Sequence, residues 1–187
     1  MGFAVREATV GDAAGIARVR VDSWRSAYGG LIDQAMLAAL DAEREAERRR
    51  QHWDAHHADP RSRELVAVAD ADGPGSIAGD VVGWVVTGPN RGTQPGPGWG
   101  ELYALYAHPS WWGSGVGHSL MLAAERRLRE AGFRRALLWV LEGNARAERF
   151  YEAHGWREDG GAQEERRGLP SGVEVVLRER RRVRELH

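Results

Sequence analysis

The chain has 187 residues, a net charge of −1, 42% hydrophobic and 28% charged residues, and no cysteine. This excludes disulfides, thiolate metal sites and a cysteine nucleophile, and it argues against a globally basic nucleic-acid binder. The length suits one domain spanning residues 1–187 with a real hydrophobic core.

No window approaches the ~20 apolar residues of a membrane span. The opening MGFAVREATVGD has no apolar signal core. The expectation is a cytoplasmic protein with no membrane or nucleic-acid partner.

Residues 3–8 read as a short strand. Ala17, Val21, Trp24 and Tyr28 recur at helical spacing, which predicts an amphipathic helix over 12–28, stopped by Gly29-Gly30. Residues 33–57 are highly charged and predict one or two exposed helices. ELVAVAD (64–70) is a strand, ADGPGS (71–76) a turn, and residues 78–87 the other arm of a hairpin. Residues 88–100 are rich in glycine and proline and form a loop. ELYALYA (101–107) is apolar on both alternating faces, as a central strand covered on both sides would be. Val116, Leu120, Ala124 and Leu128 then mark a helix to about Ala131. Residues 136–141 form a buried strand and 144–154 a helix, with two more strands near 156–163 and 173–179. The strand–helix–strand unit at 101–141 demands a right-handed crossover and a parallel strand pair. With hairpins on either side, the fold class is α/β with a mixed sheet.

Between the strand and the helix lies HPSWWGSGVGHSLM (108–121), with glycine at 113, 115 and 117. Glycine weakens strands and helices alike, so a run of three asks for bare backbone. A helix N-terminus presents free N–H groups and partial positive charge, and it binds phosphate readily. The reading is a phosphate cradle. It is not a P-loop, because His118-Ser119 stands where Lys-Ser/Thr is needed. It is not the dinucleotide fingerprint, because His118 stands where the third glycine is needed.

ELYALYAHPSWWGSGVGHSLMLAAERRL resembles the acetyl-CoA-binding segment of the GNAT N-acetyltransferase superfamily: a strand, then Q/R-x-x-G-x-G/A, then a helix. Gly115 and Gly117 match. Trp112 occupies the Gln/Arg position, a departure that implies weaker or reshaped cofactor binding. EGNARAERFYEAHGW (142–156) is similar to a second family motif through Asn144, Ala147, Phe150, Tyr151 and Gly155. The resemblance is dense over residues 99–158.

It implies a GNAT-like, mostly antiparallel sheet, with a central parallel pair splaying into a V and helices flanking it. Leu105, Tyr106 and Ala107 would pair with the pantetheine arm as an added strand. Trp112, Gly113, Ser114, Gly115, Val116, Gly117 and His118 would surround the pyrophosphate, held by the amides of 113–118. Asn144 would hydrogen-bond the cofactor, and Tyr151 would lie near the thioester sulfur. Acetyl-CoA would be the co-substrate, with no metal. The acceptor would be a small-molecule or peptide amine, and a homodimer paired through C-terminal strands is allowed by analogy.

Direct transfer suits a chain without cysteine. Tyr151 is the candidate general acid and Glu101 the candidate base, with His108 or a water wire as alternatives. Trp24, Tyr28 and Trp84 are the acceptor-side residues. His52, His56 and His57 have metal-like spacing but read as a solvated face. The arginine runs at 48–50, 166–167 and 180–182 alternate with glutamate and read as salt-bridged surface. Two other readings stay open at this stage: a non-catalytic acyl-CoA sensor, and transfer of a longer acyl group.

Overall fold

The computed structural model describes residues 2–70, 79–92, 95–96, 98–168 and 174–187. Its strands form one seven-stranded sheet: β1 (Phe3–Glu7), β2 (Arg63–Ala69), β3 (Val81–Pro89), β4 (Gly100–Ala107), β5 (Arg135–Leu141), β6 (Arg157–Gly168) and β7 (Glu174–Glu185). The spatial order is β1-β2-β3-β4-β5-β7-β6. β4 and β5 are parallel and every other neighbouring pair is antiparallel. The mixed sheet with one central parallel pair is therefore as the sequence implies. The turn expected at 71–76 lies outside the described residues.

Helix α1 (Ala13–Ala27) packs on one face through Ile16, Val19 and Trp24. The charged stretch that follows folds as three short helices, α2 (Gln34–Ala38), α3 (Ala42–Gln51) and α4 (Trp53–His56), more than expected. Two aspartates restart the chain: Asp33 caps Ala35 N at 2.7 Å and Asp41 caps Arg44 N at 3.1 Å. These helices are not merely exposed, for Met36, Leu37 and Ala46 are buried.

The other face carries α5 (Val116–Glu130) and α6 (Ala145–Ala153). Val116, Leu120, Met121, Ala124 and Leu128 enter the main core with Leu102, Leu138 and Trp156. Gly83 on β3 decides how closely α5 approaches: a Cβ there would stand 2.6 Å from Val116 Cγ1 and 2.8 Å from Leu120 Cδ1. Gly83→Ala should cost about 1–3 kcal/mol by overpacking, read as a lower denaturant midpoint at unchanged slope.

β6 and β7 run longer than expected, each 12 residues. Their outer parts lack apolar alternation. Cross-strand ion pairs hold them instead: Arg166–Glu174 at 2.9 Å, Arg178–Glu164 at 3.1 Å and Arg181–Asp159 at 2.9 Å. Arg180 and Arg182 of the 180–182 run also find carboxylates, Glu142 and Glu152.

Candidate active site

β4 and β5 pair over only three positions, Gly100↔Ala136, Glu101↔Leu137 and Leu102↔Leu138. Beyond them the strands part. β5 continues on β7, and β4 continues on β3 as far as Ala107. A register shift at Val86/Thr87 leaves Tyr103 as the extra residue of β4, so a bulge sits where the parting begins. The strand expected to be covered on both sides is covered only at its start: Gly100–Leu102 are buried and residues 103–107 are half-buried. His108 N–H turns to Val82 O on β3 at 2.8 Å. Alternation then directs the backbone groups of Leu105 and Ala107 toward the gap. The Ala107 carbonyl is already taken, by Ser23 Oγ at 3.0 Å and Trp112 Nε1 at 2.8 Å. Among the described residues nothing pairs with the Ala107 N–H or with either backbone group of Leu105, so this edge of β4 is open to an added strand.

The parting opens a cavity of about 800 Å³. At one end stands the glycine turn. Gly113 and Gly115 have φ of 80° and 92°, values that L side chains rarely adopt. The N–H of Ser119 is the first in α5 to reach an intrahelical carbonyl, that of Gly115 at 3.0 Å. The N–H groups of Val116, Gly117 and His118 precede it and stay available. Gly113, Gly115, Gly117, His118 and Trp112 line the cavity. The Val116 side chain goes into the core, and Ser114 Oγ turns back to Trp111 O at 2.6 Å. Trp112 replaces the polar side chain of the motif, but charge returns from α6: the Arg146 guanidinium lies 3.7 Å from the centre of its indole. A cradle with free donors, bare glycines and a nearby cation fits a pyrophosphate.

Further in, Asn144 caps α6 by accepting from Ala147 N at 3.1 Å. It is 8% exposed and lines the cavity, and no atom among the described residues takes its Nδ2 hydrogens. Three tyrosines gather deeper. Trp24 Nε1 donates to Tyr106 Oη at 2.9 Å, and Tyr106 acts electrostatically on Tyr28. Tyr151, from α6, is 8% exposed and faces the same cavity. Among the described residues its hydroxyl has no hydrogen-bond partner. Burial raises the Tyr151 phenol well above its ordinary value, Tyr106 adds to the rise, and Arg182 opposes it. Burial also raises Tyr28.

Trp84, expected on the acceptor side, does not line the cavity. It is 5% exposed behind Tyr106, on which it stacks at 5.8 Å, and its Nε1 donates to Glu64 at 2.5 Å. Trp24 and Tyr28 do line it. Glu101 also lines it, but both its oxygens are engaged by Arg91, one by the backbone N–H and one by the guanidinium, each at 2.8 Å. His108 turns away to Ser110 and to Asp22 at 3.3 Å. His52 and His56 stack on each other, and His57 pairs with Glu64.

The sequence reading missed the far wall. Gln163, Glu165, Leu177 and Glu179 of β6 and β7 line it. The register pairs Gln163 with Glu179 and Glu165 with Leu177, so all four share one face of the hairpin. Glu179 accepts from Gln163 Nε2 at 2.6 Å and acts electrostatically on Tyr28. A period-2 reading of V-L-R-E in β7 puts Leu177 and Glu179 together, but their place opposite α1 depends on β7 inserting between β5 and β6.

The acetyltransferase (GNAT) family model matches residues 16–156. The uncharacterized N-acetyltransferase YuaI of Bacillus subtilis (strain 168) is 33% identical over 150 residues, which are 80% of this chain and 78% of that protein. A GCN5-related N-acetyltransferase from Kribbella flavida superposes with a TM-score of 0.67 at 28% identity, over 99% of this chain and 98% of that one. PaiA N-acetyltransferase from Thermoplasma acidophilum, solved in complex with coenzyme A, shares the fold with a TM-score of 0.69 at 17% identity, over 96% of this chain and 99% of that one. The parted strands, the glycine turn and these matches lead to one conclusion: the chain belongs to the acetyltransferase (GNAT) family.

Proposed function

We propose that the protein moves an acetyl group from acetyl-CoA directly to a primary amine. The observation that carries this reading is the cavity itself. It runs without a break from the phosphate-fitting glycines, along the unpaired edge of β4, to the tyrosine cluster and the carboxylate wall. Bound acetyl-CoA would supply an activated carbonyl and a thiolate leaving group. The backbone of Leu105 and the N–H of Ala107 would hold its extended arm, with Asn144 Nδ2 on the opposite side. Tyr151 would donate its proton to the leaving sulfur, for which its raised phenol keeps the proton available at neutral pH.

The base is assigned differently from the sequence expectation. A carboxylate with both oxygens held by Arg91 is a poor proton acceptor, so Glu101 fixes the loop of Arg91 instead. Glu179 faces the acceptor side beside Tyr28 and would take the ammonium proton, directly or through water. Glu179→Gln should lower kcat by about tenfold or more, and Glu101→Gln should change it by less than about threefold. Steady-state kinetics with a fixed amine decide between them; the reverse order would restore Glu101 as base.

The test of the whole reading is calorimetric binding of acetyl-CoA followed by thiol release across a panel of amines. Binding and release establish the enzyme. A folded chain that binds no acyl-CoA refutes it.

A further inference from the structure

Two histidines meet at the phosphate end of the cavity. His118 is the third residue of α5, and His154 follows α6. Both line the cavity. Nδ1 of His118 is 2.9 Å from Nε2 of His154, and Nδ1 of His154 is 2.7 Å from the Phe150 carbonyl oxygen. These contacts settle the tautomers. A carbonyl only accepts, so His154 carries its hydrogen on Nδ1. In the neutral ring its Nε2 is then bare and must accept. His118 therefore carries its hydrogen on Nδ1, and its own Nε2 is the bare atom. One proton can be added at that Nε2 without breaking either bond. A proton on His154 Nε2 would set two N–H groups head to head. The pair thus has room for one added proton, on the ring beside the free N–H groups of α5.

Among the described residues the nearby carboxylates are paired with arginines. Arg184 of β7 bonds the His154 carbonyl and pairs with the buried Glu125 of α5 at 2.7 Å. Arg146 of α6 lies on Trp112, with Arg149 near it. On β7, Arg182 pairs with Glu152 of α6. Among the described residues no carboxylate contacts either imidazole. A bound anion would therefore meet the added proton without competition from a protein carboxylate.

We propose that His118 and His154 form a phosphate-binding subsite that takes up one proton as a phosphate of the acyl-CoA settles against it, so that cofactor affinity falls as pH rises. This rests on the acetyl-CoA reading above. Imidazole is the side chain that can take up a proton without strong acid, which is why the test is a proton count. The anion is a phosphate group, either the pyrophosphate or the 3′-phosphate.

The experiment is calorimetry of acetyl-CoA binding to the full chain at about pH 7.5, in buffers of different ionisation enthalpy, with the affinity repeated between about pH 6.5 and 8.5. Expected for wild type is an uptake of about half to one proton and a Kd that weakens about tenfold across that range. His118→Gln should bind with no uptake and a flat pH profile. Imidazole 15N spectra of wild type give a reading that needs no variant: His118 Nε2 should change from bare to protonated on adding acetyl-CoA. Dephospho-CoA then identifies the group. Uptake that persists assigns the pyrophosphate, and uptake that vanishes assigns the 3′-phosphate. Binding with no proton uptake, or equal uptake in His118→Gln, overturns the subsite and leaves the acetyltransferase reading standing. Absence of binding at every pH overturns that reading itself.

Discussion

Gly115→Glu should weaken acetyl-CoA binding by at least about a hundredfold while the chain still folds. Two effects add. Gly115 caps α5 at φ 92°, where a side chain costs about 1–2 kcal/mol. The new carboxylate would also stand among the donors meant for phosphate, and like-charge repulsion and loss of bare backbone bring the total to about 3 kcal/mol, at 1.4 kcal/mol per tenfold. Gly115→Ala separates the two: it carries the backbone cost without the charge and should lose only about tenfold. Calorimetry reads both affinities, and thermal unfolding checks that each variant folds. Equal binding by Gly115→Glu and wild type would mean that the glycines serve the turn alone.

Tyr151→Phe should lower kcat by about a hundredfold and leave KM for acetyl-CoA within about twofold. The change removes only a hydroxyl with no partner among the described residues, so packing of the buried ring is preserved. The loss is confined to the step in which the sulfur needs a proton. Burial and Tyr106 raise the phenol, so Tyr151 keeps its proton through the alkaline range. An alkaline fall in kcat therefore belongs to another group, and the same fall should persist in Tyr151→Phe at the lower rate. A variant with unchanged kcat would remove Tyr151 from the chemistry.

The glycine turn and its helix were legible in the sequence because their determinants are local. Gly113, Gly115 and Gly117 act through their own backbone, and Asn144 caps the short helix that carries Tyr151. The far wall of the cavity was not, because its residues meet only through the sheet. Glu179 lies in a run of charges that reads as surface, and most of its neighbours are indeed paired surface arginines. Only the insertion of β7 beside β5 turns its alternate residues toward α1. Glu101 looked free because Arg91, ten residues earlier, sits in a loop with no periodic signal. Trp84 looked like a pocket residue because aromatic side chains serve cores and pockets equally; its stacking on Tyr106 and its bond to Glu64 set it in the core. The strand ELYALYA has the composition of a fully covered strand, yet half of it faces a gap. Composition reports that a surface is meant to be covered, not whether protein or ligand covers it.

The short pairing of β4 with β5 has a thermodynamic consequence. A sheet interrupted at its centre keeps unmet backbone groups and a cavity in its middle, where a continuous sheet would have hydrogen bonds and packing. A ligand that lies along β4 binds only the folded chain, so the midpoint of thermal unfolding should follow its concentration. At a hundred times Kd the gain is about 2.7 kcal/mol. For a domain of this size that is a rise of roughly 5–10 °C. Resistance to unfolding would then vary with the supply of the donor, and a thermal-shift titration would detect the ligand before any acceptor is known.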